Sequence, residues 1–175
     1  MPKQLSYRTE FLEFECHLVR RSRDKGRNHD ITCFIRRTDG LYVVIQKHQY
    51  ARSGIYRAPS GGAKFGERLI EAAAREMKEE TGLDVKLTHF VLDLRLEVVC
   101  PDETIPWRSF VFLAEPIGGS MEPQDTYEIY DVKTLTQDKL LGDIDVLMRE
   151  SGWGGFSYRS YLTREFFKRL KELNI

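Results

Sequence analysis

The sequence predicts an α/β fold in which helices pack against a mixed β-sheet. Three observations predict it: apolar, strand-like runs lie on both sides of one central helical segment, an Asp-Gly pair joins two of the early runs, and an amphipathic helix ends the chain. Strands, helix, strands and helix in this order are typical of a sheet covered by helices. No linker-like change of composition divides the 175 residues, and we therefore expect a single domain over residues 1–175.

The first third of the chain is predicted to be mostly β-strand. Residues 11–19 mix aromatic and charged side chains with partial alternation, which favours a strand, and the basic residues 20–28 predict a loop. Residues 31–36 and 41–46 are apolar runs, and the Asp-Gly pair between them is a strong hairpin signal. Residues 50–60 then form the loop that leads into the central helix.

The central helix is predicted over residues 67–81, because Gly66 precedes the run and Gly82 follows it. Glycine is the preferred residue for the left-handed cap that ends a helix, and this gives Gly82 a structural role. One arc of the helix carries apolar side chains and is predicted to lie against the sheet, where its alanines would allow a close approach. The residues of this arc are Ile70, Ala73, Ala74 and Met77.

The last part of the chain returns to strands and ends in a helix. Residues 85–99 and 107–115 read as strands, and two prolines mark the loop between them. The remaining elements are a short strand, a short helix and a long final helix, over residues 128–132, 135–141 and 156–173.

The composition limits the partners and the location of the protein. Lys plus Arg equals Asp plus Glu at 27 each, so the formal net charge is zero, and we expect no stable nucleic-acid partner. The three cysteines form no CxxC pair, which favours reduced thiols in an intracellular, cytoplasmic protein. The first residues lack an apolar signal-peptide core and no apolar run approaches the ~20 residues of a membrane span, so we expect no membrane partner.

Three carboxylates crowd the end of the central helix. With Glu76 set at zero on a helical wheel, Glu79 lies at roughly −60° and Glu80 at roughly +40°, so all three share one arc. Their like-charge pairs cost about 0.2–0.5 kcal/mol each, and the helix dipole disfavours anions in the last turn by about 0.3–1 kcal/mol. A divalent cation between the carboxylates would offset this cost. A solvated acidic face is the alternative, and a glutamate-rich helix taken alone usually means that.

Residues 61–83 resemble the Nudix box, whose pattern is G-x5-E-x7-R-E-U-x-E-E-x-G-U, where U is a bulky apolar residue. Every fixed position of that pattern is filled in this sequence. The filled positions are Gly61, Glu67, Arg75, Glu76, Met77, Glu79, Glu80, Gly82 and Leu83. Such a match is far more specific than a lone glycine motif.

The resemblance implies an α/β/α sandwich and a metal-dependent hydrolase. Nudix hydrolases cleave nucleoside diphosphates linked to another moiety, and they use Mg2+ or Mn2+. Carried onto this sequence, the pattern implies that Glu76, Glu79 and Glu80 bind the metal and that Glu76 or Glu79 also acts as base or positions the water. Hard cations that prefer oxygen ligands suit such a set, because they neutralise phosphate charge and lower the pKa of bound water. No Cys–His cluster with zinc spacing competes with this interpretation.

The other positions of the box are expected to support these glutamates. The resemblance implies that Arg75 orients a carboxylate through its guanidinium fork, which makes it part of the catalytic set. It implies a structural role or a weaker ligand role for Glu67. Gly61 and Gly62 are expected to let the loop turn sharply before the helix.

One further metal ligand is expected from outside the box. Nudix proteins often supply an additional glutamate, and Glu97 on the strand after the box is our first candidate. Its alternation with apolar neighbours fits a solvent-facing strand residue equally well. Glu103, Asp125 and Glu128 are rival candidates.

Arginines and one tryptophan are candidates for substrate contacts. Arg52 and Arg57 lie just before the glycines of the box, where they could bind a phosphate, although surface arginines are common. Trp153 could stack on a base or close over the site, although a packing aromatic is the plainer interpretation. The basic residues 20–27 could contact an anionic substrate or nucleic acid, with a solvated loop as the default.

The expected partner is a small nucleotide, and its identity stays open at this stage. A nucleotide sugar such as ADP-ribose and a (d)NTP are both compatible with the box. Two other classes compete: a catalytically inactive Nudix-fold module that binds nucleotides in regulation, and an isomerase acting on a diphosphate. The intact glutamates argue against both. The oligomeric state also stays open, with a homodimer as one alternative because Nudix proteins often dimerise.

Overall fold

The computed structural model describes residues 1–175 and contains seven strands and five α-helices. The strands are β1 Lys3–Glu10, β2 His29–Arg36, β3 Tyr42–Lys47, β4 Ser60–Gly61, β5 Leu83–Val99, β6 Thr104–Gly119 and β7 Ile129–Leu135. The helices are α1 Glu13–Asp24, α2 Leu69–Thr81, α3 Gln137–Leu141, α4 Asp143–Glu150 and α5 Gly154–Leu173, and a short 3-10 helix covers His48–Tyr50. None of the helices combines the length and the apolar character needed to cross a membrane.

All seven strands belong to one mixed sheet. Its order is β1-β5-β6-β2-β3-β7, and β4 pairs with β2 outside this path. The long hairpin β5–β6 is antiparallel, whereas β1 runs parallel to β5 and β2 runs parallel to β6. This sheet places the start of the box beside β2, because Gly61 pairs with Ile31.

Helices cover both faces of the sheet, so the α/β/α sandwich is confirmed. Alternate residues of β2 point to opposite faces, as the two-residue period of a strand requires. Cys33 packs in the cluster that contains Ala73 and Met77 of α2. Phe34 packs on the other face, where its ring stacks on that of Phe166 in α5 with 3.9 Å between the centroids.

The prediction of a strand over residues 11–19 was wrong, because this segment lies mostly in α1. Glu15 stabilises the start of the helix by accepting a hydrogen bond from the backbone N–H of Leu12 at 3.0 Å. Partial alternation over a short window does not separate a strand from a helix, and acidic residues in the first turn with basic residues in the last favour the helix. The expected loop over residues 20–28 is therefore helical as far as Asp24. The true edge strand, β1, precedes this segment and was not predicted.

The buried arc of α2 differs from the predicted one. Ile70 and Ala74 face solvent. The buried positions are instead Ala72, Ala73, Met77, Glu80 and Thr81. The helix is rotated so that part of its acidic arc faces the protein, because Glu80 bonds to the backbone of β4. Gly82 ends the helix in the left-handed conformation with φ of 79°, as predicted.

The expectation of reduced thiols was also wrong. Cys16 of α1 and Cys100 after β5 form a disulfide, with 6.1 Å between their Cα atoms and 84 residues between them in sequence. Cys33 is the free cysteine and is buried. Because disulfides persist in oxidising surroundings, the cysteines no longer support the expected cytoplasmic location.

Candidate active site

The two glycines that open the box allow close packing rather than a sharp turn. Neither Gly61 nor Gly62 has a positive φ, so the expected conformational role is corrected. A β-carbon on Gly61 would overlap the side-chain carboxylate of Glu76. A β-carbon on Gly62 would overlap the guanidinium group of Arg27. The missing side chains therefore bring an acidic group and a basic group up to the same loop.

Arg75 organises the carboxylates around it. Its Nε and Nη2 atoms donate to the two oxygens of Glu67 at 2.9 and 2.8 Å, a two-point contact that fixes both side chains. Its Nη1 atom donates to Glu76 at 2.9 Å and lies 3.4 Å from both oxygens of Glu79. The Arg75 guanidinium, with a backbone N–H from Lys64, lowers the pKa of Glu67 to about 2. Glu67 is thus a satisfied anion, as a structural role requires.

Glu80 is a buried carboxylate without a cationic partner. Its side chain belongs to a residue only 3% exposed. One oxygen accepts a hydrogen bond from the backbone N–H of Ser60 at 2.9 Å, the other oxygen accepts none, and no cation lies within ion-pair distance. Burial raises the pKa of Glu80, against the opposing charges of Lys47 and Arg57. An anion in this position needs positive charge to be stable.

Glu76 and Glu79 complete the acidic side of α2. The Glu76 side chain is 17% exposed, and burial raises its pKa although Arg75 opposes the shift. The Glu79 side chain is 39% exposed. As they stand, no three acidic, histidine or cysteine side chains converge closely enough to hold a metal ion. The reason is that Arg75 occupies the space between Glu76, Glu79 and Glu67, so these carboxylates would have to turn from the arginine toward a cation.

The two predicted arginines have different positions. Arg57 is buried and donates to the Tyr50 hydroxyl at 3.1 Å and the Ser60 hydroxyl at 2.9 Å. It therefore lies beneath the loop and reaches the site through Ser60. Arg52 is exposed in a turn with φ of 67°, and it makes no hydrogen bond or ion pair. The structure does not bring Arg52 to the carboxylates.

Glu97 is not brought to the box. It lies on β5 beside the edge strand, is 54% exposed and pairs with Arg8 at 2.6 Å. In the strand register, Glu97 pairs with Pro106 of β6. The residue of β6 that pairs with Ile31 lies four residues further along that strand. Two strand spacings and four residue rises separate Glu97 from Ile31, the neighbour of Gly61, by roughly 16 Å. We therefore leave Glu97 out of the proposed ligand set.

Glu128, an acidic residue outside the box, is linked to the box through Lys47. Its carboxylate is 3.3 Å from the Lys47 ammonium group, and Lys47 is close enough to Glu80 to influence its pKa. Asp125 caps the same loop by accepting from the Glu128 N–H at 3.1 Å. Glu103 is instead held by arginines of α1 at another place.

An apolar cavity that the sequence did not predict opens beside Lys47 and Arg57. It has a volume of about 210 Å3, and aromatic side chains, among them Phe14, Trp153 and Phe156, form its walls. Trp153 stacks on Phe156 and meets Phe14 edge to face, with 5.0 Å between the centroids in each pair. Trp153 is therefore both a packing residue and a wall of the cavity.

The floor of this cavity is polar and fully paired. Asp30 is buried there and accepts hydrogen bonds from Trp107 at 2.8 Å, Ser109 at 2.5 Å and Tyr158 at 2.9 Å. Burial works against the anion, but Arg159 and these donors lower the pKa of Asp30 below its usual value. In the sequence, only Asp30, a single aspartate within an apolar strand, indicated that a polar group is buried beneath this cavity.

Comparison with known proteins agrees with this geometry. Residues 26–151 match the family model of the NUDIX domain. The chain belongs to the NUDIX family, and the resemblance in residues 61–83 is confirmed.

Individual relatives match part of the chain. It is 31% identical over 104 residues to the NAD-capped RNA hydrolase NudC of Vibrio vulnificus (strain CMCP6), covering 57% of this chain and 35% of NudC. It is 31% identical over 86 residues to the phosphatase NudJ of Escherichia coli (strain K12), covering 49% of this chain and 52% of NudJ. The chain thus spans about a third to a half of the length of these relatives. A NUDIX hydrolase from Nitrosomonas europaea shares the fold, with a TM-score of 0.54 and 18% identity over 65% of this chain and 75% of that one.

Proposed function

We propose that this protein hydrolyses a diphosphate bond in a nucleoside diphosphate linked to another moiety, and that it does so with Mg2+ or Mn2+. The observation that carries the proposal is the buried carboxylate of Glu80, which has no cationic partner and lies beside Glu76 on the same helix. The names of the relatives NudC and NudJ, a hydrolase and a phosphatase, agree with this reaction class.

Glu76, Glu79 and Glu80 are the residues that would hold the cation. Their donor atoms are all carboxylate oxygens, which hard divalent cations prefer, and no thiolate or imidazole lies among them. The bound metal supplies neutralisation of the phosphate charge and a lower pKa for a bound water. Glu128, which lies near Lys47 and Glu80, is our candidate for the additional ligand outside the box.

The remaining side chains position the groups that react. Arg75 donates to Glu76 and Glu79 and so keeps their carboxylates close together, from where they would turn toward a cation. Glu76 lies directly beside the loop, where its carboxylate fills the space that a β-carbon on Gly61 would occupy. We assign it the role of base, with Glu79 as the alternative.

The nucleoside would lie in the aromatic cavity. Its walls present flat apolar surfaces to a base, and Lys47 lies on its lining near Glu80. In this binding mode the base would lie in the cavity and the phosphates would reach the carboxylates.

A substrate panel with Mg2+, Mn2+ or EDTA tests the proposal. We would measure released phosphate and nucleoside monophosphate from nucleotide sugars and nucleoside triphosphates, for wild type and for Glu76→Gln and Glu79→Gln. A metal-bound carboxylate contributes about 3–5 kcal/mol to the transition state, so each variant should lose ~10²–10⁴-fold in kcat. Glu71→Gln is the control, because Glu71 is an exposed residue of the same helix that pairs with Arg68. The proposal fails if no substrate is turned over, or if both variants match the control.

A further inference from the structure

The basic residues of α1 and the turn after it fall into two groups. Arg20 pairs with Glu103 at 3.0 Å, and Arg23 pairs with the same carboxylate. The other cations have no carboxylate within ion-pair distance and instead line a groove of about 550 Å3. These unpaired residues are Arg21, Lys25 and Arg27.

This groove joins the carboxylates to the aromatic cavity. Arg27 lies against Gly62 and also lines the depression that contains Glu76. Lys47 lines both the groove and the aromatic cavity. Each of these two pairs of neighbouring depressions therefore shares a cation in its lining.

The groove concentrates positive charge in a chain whose formal net charge is zero. Its lining holds four cations and one carboxylate, Glu128, which pairs with Lys47 at 3.3 Å. The helix dipole accounts for Arg21 and Lys25 at the end of α1. It does not account for Arg27, which lies in the loop after the helix. Three of the four cations, Arg21, Lys25 and Arg27, have no carboxylate within ion-pair distance, and such a cluster indicates an anionic ligand.

We propose that this groove binds phosphates beyond the two whose bond is cleaved, so that the substrate is a nucleotide with three or more phosphates. The inference rests on the proposed function and names its substrate class. The second moiety of a nucleotide sugar is an uncharged polyol, which gains little from a groove of this charge. Each additional phosphate gains charge-assisted hydrogen bonds to the arginine and lysine side chains.

The kinetic test compares ATP and diadenosine tetraphosphate with ADP-ribose. In wild type, kcat/KM should be higher for the two polyphosphates than for ADP-ribose. The double variant Arg21→Gln/Lys25→Gln should lower kcat/KM for the polyphosphates by ~10-fold or more, mainly through KM, and leave ADP-ribose nearly unchanged. Arg20→Gln is the matched control, because it removes a cation of the same helix that is paired away from the groove.

A binding test distinguishes the proposal that the groove binds phosphates from the proposal that the protein is a hydrolase. Isothermal titration of the full chain with inorganic tripolyphosphate and with pyrophosphate, both in EDTA, measures the groove without the metal. Wild type and Arg20→Gln should bind tripolyphosphate more tightly than pyrophosphate, and the double variant should lose the difference. A preference for ADP-ribose, or equal binding of both anions, overturns this inference and leaves the hydrolase proposal standing. If no nucleotide is hydrolysed, the hydrolase proposal fails, while the titration still decides whether the groove binds phosphates.

Discussion

Gly61→Ala should remove activity while leaving the fold nearly intact. The new methyl group would overlap the carboxyl end of the Glu76 side chain, which is flexible and can rotate away. The backbone at Gly61 has no positive φ, so alanine fits its conformation. The substitution is thus a way to move Glu76 without changing its chemistry.

The expected change in stability of Gly61→Ala is much smaller than its expected loss of activity. Overpacking a rigid core costs about 1–3 kcal/mol, but a rotating side chain relieves most of it, and replacing glycine by alanine returns about 0.4–1 kcal/mol. We therefore expect a net change within about 1 kcal/mol, which is a Tm shift of about 2–4 °C for a chain of this size. If Glu76 holds the cation as proposed, displacing its carboxylate should cost about 3–5 kcal/mol in the transition state, a loss of ~10²–10⁴-fold in kcat.

The assay combines three measurements on the same variant: kcat on the substrate found in the panel, Tm, and Mn2+ affinity by paramagnetic resonance. Gly66→Ala is the control, because Gly66 has φ of 78° and nothing within 4 Å of a built β-carbon. That control should lower Tm through backbone strain of about 1–2 kcal/mol and keep kcat near wild type. Normal turnover and Mn2+ affinity in Gly61→Ala, at an unchanged Tm, would refute the assigned position of Glu76.

Two further predictions concern buried groups. Glu80→Gln should raise Tm in EDTA at neutral pH and abolish the Tm increase that Mn2+ causes in wild type, because burial raises the pKa of Glu80. Because the pKa of Glu80 is raised in the folded protein, the wild-type side chain contributes stability below the unfolded pKa of 4.5 and loses that contribution as pH rises. The Tm difference between Glu80→Gln and wild type should therefore shrink toward acidic pH. A lower Tm for Glu80→Gln than for wild type at pH 7 would contradict this. The native, unreduced protein should not react with a thiol reagent, since Cys16 is paired with Cys100 and burial raises the pKa of Cys33 to about 12. Denaturation should release one thiol and subsequent reduction two more, and rapid labelling of two thiols in the unreduced native protein would disprove the pairing.

Local signals made the central part of the structure predictable. The helix of the box and its left-handed end at Gly82 follow from residues that are neighbours in sequence. The same holds for the hairpin, where Gly40 has φ of 83°. The acidic arc of Glu76, Glu79 and Glu80 was visible because helical spacing alone places these residues together.

Other features depend on contacts that no short window contains. Tyr158 and Asp30 are hydrogen-bonded across 128 residues, and the two disulfide cysteines lie 84 residues apart. The rotation of α2, which buries Glu80 and exposes Ile70, is decided by where the sheet lies and not by the apolar pattern of the helix. The basic segment 20–27 was recognised from the sequence, but only the structure shows that Arg20 and Arg23 are paired with Glu103 whereas Arg21, Lys25 and Arg27 line a groove.

Ser60 connects the carboxylate of Glu80 to the arginines that line the aromatic cavity through shared hydrogen bonds. Its amide donates to Glu80, and its hydroxyl accepts from both Arg57 and Arg159 at 2.9 Å. A change at Arg159, which lines the aromatic cavity, would therefore also loosen the hydrogen bond that supports Glu80. Altered base preference and altered cation affinity should arise together in such variants, and tuning one alone will require a compensating change at Ser60 itself.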